Sequence, residues 1–218
     1  MILFAGDSFS AWDDNESWTY QFANTLGLGF RNCSIEGSSI WTAFSQIDIE
    51  RYKIMNNYYE YLVITCTNYR RIPFCQDAHM SYFVGKIEKE PFDTEEKKYN
   101  MAHVNYYDRF YSEKMHKFLY ESILNYVITT FRNHTKIILL PVMDDSLISV
   151  KTANNIFPDS FMFLNFPLFN ISSKNKDAKN HFSKDMNINF GKLLAEHVKK
   201  TDSGQLNVTI KEIKEAIN

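Results

Sequence analysis

Ile2-Leu3-Phe4-Ala5-Gly6-Asp7-Ser8-Phe9-Ser10 opens the chain with four apolar residues, then a glycine, an aspartate and a serine. A short continuous apolar run closed by turn residues reads as a strand covered on both faces, the kind that fills parallel sheets. Four more such runs follow. Leu28 to Ile35 holds the second, and Tyr61-Leu62-Val63-Ile64-Thr65 is the clearest. Lys136-Ile137-Ile138-Leu139-Leu140 is stopped by Pro141, and Phe161-Met162-Phe163-Leu164 is more aromatic. Helical patterns separate them. Trp18, Phe22, Ala23 and Leu26 share one face before Gly27. Phe110, Leu119, Ile123, Tyr126, Val127 and Thr130 mark a long helix. Met186, Phe190, Leu193, Leu194 and Val198 mark another, and Ile210, Ile213 and Ile217 a terminal one. Alternating strands and helices predict an α/β chain, a three-layer α/β/α sandwich around a parallel five-stranded sheet.

The 218 residues fit one medium domain over 1–218. Residues 76–111 break the rhythm: they mix aromatics with the charged run Glu95-Glu96-Lys97-Lys98 and exceed an ordinary connection. They read as an inserted helical cap or as a surface helix pair. With 44% apolar residues and 16% aromatics the chain is globular. A net charge of −2 without a basic block argues against nucleic acid, whose phosphates call for clustered Lys and Arg. Cys33, Cys66 and Cys75 form no metal spacing and read as packing residues. No run is long enough to predict a membrane span, and no leader pattern precedes Ile2. A cytoplasmic location is the expectation.

In open α/β sheets, ligands bind beyond the carboxyl ends of the strands. Four polar groups fall there: Ser8 after the first strand, Gly37 with Ser38 and Ser39 after the second, Thr67-Asn68 after the third, and Asn180-His181 after the last. Serine becomes a nucleophile when a base takes its proton, and histidine suits that task near neutral pH. An acyl oxyanion needs fixed donors, which the Ser8 and Gly37 backbone N–H groups and the Asn68 amide supply. A helix starting just after Ser8 would add its positive end. Arg70 and Arg71 suit an anionic or sugar substrate, or an ion pair with the acidic cap.

These residues resemble the four named blocks of the SGNH/GDSL hydrolases. Gly6-Asp7-Ser8-Phe9-Ser10 resembles the first block, Asn32-Cys33-Ser34-Ile35-Glu36-Gly37-Ser38 the second, and Val63-Ile64-Thr65-Cys66-Thr67-Asn68 the third. Asn180-His181-Phe182-Ser183, followed by Leu193-Leu194-Ala195-Glu196, resembles the last. The resemblance implies a flavodoxin-like sheet and an ester hydrolase with Ser8 as nucleophile and His181 as base. Ser8, Gly37 and Asn68 would form the oxyanion hole, with no cofactor and no metal. The implied substrate is a small or carbohydrate ester, often an acetyl ester. The insertion and the run Thr67-Asn68-Tyr69-Arg70-Arg71 are also similar to SGNH-like proteins encoded by bacteriophages, which adds virion association to the expected locations. One position departs from the family. The aspartate usually found three residues before the histidine is replaced by Ala178, with Asp177 one residue further back. Asp177 completes a triad if that loop bulges. Otherwise a backbone carbonyl, Asp144 or Asp145 orients the ring, the site is a dyad, or the protein keeps the fold as an inactive binding or structural protein.

Overall fold

The computed structural model describes residues 1–73, 81–82, 111–172 and 180–215. Its main sheet has six strands, all parallel, in the order β2-β1-β3-β6-β7-β8. They are β1 (Ile2–Ala5), β2 (Phe30–Asn32), β3 (Tyr61–Cys66), β6 (Lys136–Pro141), β7 (Met162–Leu164) and β8 (Gly204–Leu206). The sixth, β8, goes beyond the five expected. It is a three-residue edge strand, Gly204-Gln205-Leu206, with too few apolar residues to announce itself. Two short segments, β4 (Ile72–Pro73) and β5 (Ser81–Tyr82), pair antiparallel on their own. The rest of the cap expected over 76–111 lies outside the described residues, Tyr111 excepted.

The helices are α1 (Trp18–Leu26), α2 (Ile40–Ile49), α3 (Arg51–Met55), α4 (Glu113–Phe131), α5 (Asp144–Ile156), α6 (Lys184–Lys200) and α7 (Ile210–Glu215). Serine side chains cap four of them: Ser17, Ser39, Ser112 and Ser183 each accept a backbone N–H of the first turn. Such a cap is worth about 1 kcal/mol over alanine.

The period of two along each strand divides the core. Ile2, Phe4, Val63, Ile138 and Leu140 face Trp18, Phe22, Phe190 and Leu194 on one side. Leu3, Ala5, Leu62, Ile64, Ile137 and Leu139 face Ile47, Tyr120, Leu124 and Val127 on the other. Both faces are therefore covered, which is why the strands read as unbroken apolar runs. Phe4 meets Trp18, Phe22 and Phe30 edge-on, with centroids 5.5, 6.0 and 5.8 Å away. Burying such a ring stabilises the fold by about 1.5–3 kcal/mol. Helices α1 and α6 approach closely because position 191 is glycine. A Cβ there would lie 2.5 Å from the Trp18 carbonyl oxygen and 2.8 Å from the Gln21 Cβ. Cys33 and Cys66 are free thiols, half-buried and buried, as expected of packing residues; Cys75 lies outside the described residues.

Strand order fixes the site. The chain steps from β1 outward to β2, then returns to β3 on the opposite side of β1. The carboxyl ends of β1 and β3 flank this reversal, the crevice where open sheets bind ligands. Ser8 follows β1 and Asn68 follows β3.

Candidate active site

Gly6 makes the turn after β1 possible. Its φ is +147°, and a Cβ would lie 1.9 Å from the Thr65 Oγ1 of the neighbouring strand. With no side chain in the way, the turn is laced down. The Gly6 N–H donates to Gln46 Oε1 at 3.2 Å, and Ser38 Oγ donates to the Gly6 carbonyl at 2.6 Å. The Asp7 N–H donates to Thr65 Oγ1 at 3.1 Å, the Phe9 N–H to Asp7 Oδ1 at 3.1 Å, and the Ser10 N–H to the Asp7 carbonyl at 3.0 Å. Ser10 Oγ lies 2.8 Å from both Thr65 Oγ1 and Ser34 Oγ, and Asn32 Nδ2 donates to the Ser10 carbonyl at 2.7 Å. Among the described residues, the Ser8 N–H is the member of this run without a protein acceptor. That N–H is left open to an acceptor from outside the chain.

No helix starts directly after Ser8. The chain makes a turn, and α1 begins only at Trp18, so the expected helix dipole is not supplied at Ser8. The reason is local: Asp7 takes the Phe9 N–H and ties the next residues into a turn.

His181 Nε2 lies 2.7 Å from Ser8 Oγ across a sequence separation of 173 residues. The imidazole packs on the buried Phe9 ring, with centroids 4.5 Å apart and planes 30° apart. Two successive residues bring it there in left-handed conformations, Asn180 at φ +50° and His181 at φ +61°. Left-handed backbone costs a residue with a Cβ about 1–2 kcal/mol, asparagine least. Asn180 is 1% exposed. Its Oδ1 accepts the Trp12 N–H at 2.8 Å, and its Nδ2 donates to the Trp12 carbonyl at 3.2 Å. The expected acid Asp177, like Ala178, lies outside the described residues.

Gly37 sits in the loop after β2 at φ +71°, between Glu36 and the buried Ser38. Asn68 is buried at the end of β3. Its Oδ1 accepts the Arg70 N–H at 2.7 Å, which fixes the amide's orientation. Its Nδ2 donates to Asp145 Oδ2 at 3.1 Å and lies 3.7 Å from Met143 Sδ. Asp145 therefore holds the Asn68 amide at the first turn of α5, where a carboxylate is favoured by the helix dipole.

Arg71 is buried beside Asp7. It is 9% exposed, and its Nη1 lies 3.2 Å from both Asp7 Oδ2 and the Ser38 carbonyl oxygen. It is an internal counter-ion: a buried carboxylate needs a paired cation, and Asp7 is fully buried. Burial pushes the Asp7 carboxyl above its ordinary range, against the pull of Arg71 and the Phe9 N–H. Burial likewise lowers Arg71, against the pull of Asp7. Arg70 stays on the surface, 3.1 Å from Glu113, which also accepts the Tyr69 hydroxyl. Nothing in the sequence marked Arg71 as Asp7's partner, because the pair is 64 residues apart.

Two concavities lie at the opposite, amino-terminal edge of the sheet. One is lined by Tyr58, Tyr59, Glu60, Arg132, His134 and Lys136, the other by Arg132, Lys136, Asp159 and Asp202 among others. Among the described residues, no group of His, Cys, Asp and Glu is arranged to hold a metal ion, and no helix is long and apolar enough to cross a membrane.

No protein-family model and no curated protein matches the chain. Solved structures do match its fold. A carbohydrate esterase family 2 enzyme with its carbohydrate-binding domain, from Corynascus thermopiles (Myceliophthora fergusii), has 13% identity and a TM-score of 0.55, over 91% of this chain and 65% of that one. The acetyl xylan esterase Est2A of the rumen bacterium Butyrivibrio proteoclasticus has 12% identity and a TM-score of 0.54, over 91% and 63%. TesA has 14% identity and a TM-score of 0.50, over 91% and 96%. The chain spans less than two thirds of the length of the first two. The likeness is one of fold: a parallel sheet between two helical layers, as in the SGNH hydrolases.

Proposed function

We propose that this chain is a serine hydrolase of the SGNH type that cleaves carboxyl esters. The observation that carries this reading is the 2.7 Å approach of Ser8 Oγ to His181 Nε2. It is hydrogen-bond contact between a nucleophile and its base, at a strand-end crevice. In the reaction, Ser8 Oγ attacks the ester carbonyl carbon while His181 Nε2 takes the hydroxyl proton. The carbonyl oxygen becomes an oxyanion facing the Ser8 N–H, with Gly37 N–H and Asn68 Nδ2 as further donors. Collapse breaks the C–O bond to the alcohol, which leaves with the proton from His181. Water, deprotonated by His181, then cleaves the acyl-serine and releases the acid.

An acyl ester of a carbohydrate, such as an acetyl ester, is the substrate class we favour. Its support is the likeness in fold to a carbohydrate esterase and an acetyl xylan esterase. A second reading, a protein that keeps the fold without turnover, draws on one observation. The Asn68 donor is already engaged by the Asp145 carboxylate, whose charge opposes an oxyanion. A fluorophosphonate probe separates the two. Covalent labelling of Ser8 in the wild type, absent in Ser8→Ala, is the expected result. Folded wild-type protein that stays unlabelled would overturn the hydrolase reading in favour of the second.

A further inference from the structure

The nucleophile and the base come from opposite ends of the sequence, and their loops meet at Phe9, whose ring packs on His181, and at Trp12. The Trp12 N–H and carbonyl are both held by the Asn180 carboxamide, at 2.8 and 3.2 Å. The same carbonyl accepts the Thr19 hydroxyl at 2.6 Å, and the indole Nε1 donates to Glu36 Oε1 at 3.1 Å, next to Gly37. Asn180 thus reproduces, with one side chain, the two-bond exchange of a strand pair. It fastens the residue just before His181 to the segment just after Ser8.

We propose that Asn180 is a positioning residue: through its paired bonds to Trp12 it sets the register between the Ser8 turn and His181. The inference rests on the hydrolase reading for its kinetic consequence. Three observations carry it. The carboxamide is buried, so its two bonds are protected from water. Asn180 and His181 both hold left-handed backbone, which a free loop does not sustain and a clamp does. The base reaches Ser8 at hydrogen-bond distance, and His181 follows Asn180 directly, so a shift of the clamp moves the ring. Loss of register by about 1 Å at a reacting pair is worth about 10²-fold in rate.

Asn180→Gly is the decisive variant, because glycine keeps the left-handed backbone at no steric cost and deletes both bonds. With a short p-nitrophenyl ester, kcat is expected to fall by about 10²-fold, with KM little changed. Labelling by a small fluorophosphonate is expected to slow in parallel. A purely structural role would lower Tm and leave kcat alone well below the transition. The second readout is independent of turnover. The 15N signals of the His181 ring should report a single ring environment in the wild type and an average of two in Asn180→Gly. Asn180→Asp keeps the acceptor for the Trp12 N–H but loses the donor to its carbonyl. It decides the matter should the glycine variant fail to fold, with reduced kcat expected. Unchanged kcat and an unchanged His181 spectrum in a folded variant would overturn the proposal. An unlabelled wild type would instead overturn the hydrolase reading, while the His181 spectrum still judges the clamp.

Discussion

Asp7, next to Ser8, and Glu50, where α2 meets α3, are both buried carboxylates with cationic partners, yet their surroundings move them in opposite directions. At Glu50, burial is the largest influence and pushes upward. The Tyr59 hydroxyl at 2.6 Å, Lys53 Nζ at 2.9 Å and the charge of Arg31 at 2.8 Å together overcome it and hold the carboxyl below the usual range. The side chains of Arg31 and Lys53 remain half in water, 50% and 48% exposed, so only one charge loses its hydration. At Asp7 both members of the pair are enclosed, one guanidinium nitrogen does the pairing, and burial wins. The difference teaches where this fold stores unfavourable electrostatics. It is kept at the carboxyl edge, where the Asp7–Arg71 pair also grips the Ser38 carbonyl beside Gly37.

The comparison breaks most sharply on turnover. Ser8→Ala is expected to lower hydrolysis of a short ester by about 10⁴-fold or more with little change in Tm, whereas Glu50→Gln leaves kcat unchanged. A Glu50→Gln variant that folds but loses turnover would erase the division between the two regions. Next in size is the buried pair itself. Arg71→Met should cost about 3–5 kcal/mol in denaturant unfolding, because it strands a buried carboxylate, and adding Asp7→Asn should recover most of the loss. Additive losses in the double variant would mean that the two charges do not act as a pair.

The third effect is smaller and sharpens the contrast through pH. Glu50→Gln should cost about 1.5–3 kcal/mol near pH 7. The folded-state pKa of Glu50 is lowered, so its contribution is fully present above the unfolded value and is lost as pH falls through the folded one. The folded-state pKa of Asp7 is raised, so its contribution is present below the unfolded value and is lost as pH rises through the folded one. Wild-type stability should therefore fall on acidification below about pH 4.5 more steeply than that of Glu50→Gln, in which the acid-side slope of Glu50 is removed and the opposing slope of Asp7 remains. Parallel acid limbs by thermal melts would contradict this. Tyr59→Phe should show the smallest effect, about 1 kcal/mol, since Glu50 keeps both cations. A loss as large as that of Arg71→Met would show that the hydroxyl, not the cations, sustains the site.

Much of this architecture was legible before any coordinates. Ile2–Ala5, Tyr61–Cys66 and Lys136–Pro141 are covered on both faces, and continuous burial writes itself into sequence as continuous apolarity. Ser8, Gly37, Asn68 and His181 could be singled out because strand ends are where sheets bind ligands. What stayed hidden depends on distant partners. β8 is too short to carry a period. Arg71 read as a contact for an anionic or sugar substrate or for the acidic cap, and its pairing with Asp7 was hidden; Asn180 read as part of the strand-end pair with His181, and its hold on Trp12 was hidden. The Asn68 amide could be named as a donor, but not its capture by Asp145, which lies 77 residues away.

The separation of 173 residues between Ser8 and His181 has a consequence for biosynthesis. At a translation rate of about 5–20 residues per second, Ser8 is incorporated roughly 9–35 s before His181. Throughout that interval the nascent chain carries Ser8 without His181. The α1–α6 contact that draws the two ends together, through Gly191, also has to wait for the late helix. On the proposed hydrolase reading, reactivity is withheld until His181 has been added, and a chain cut short before His181 carries the serine but no base to activate it.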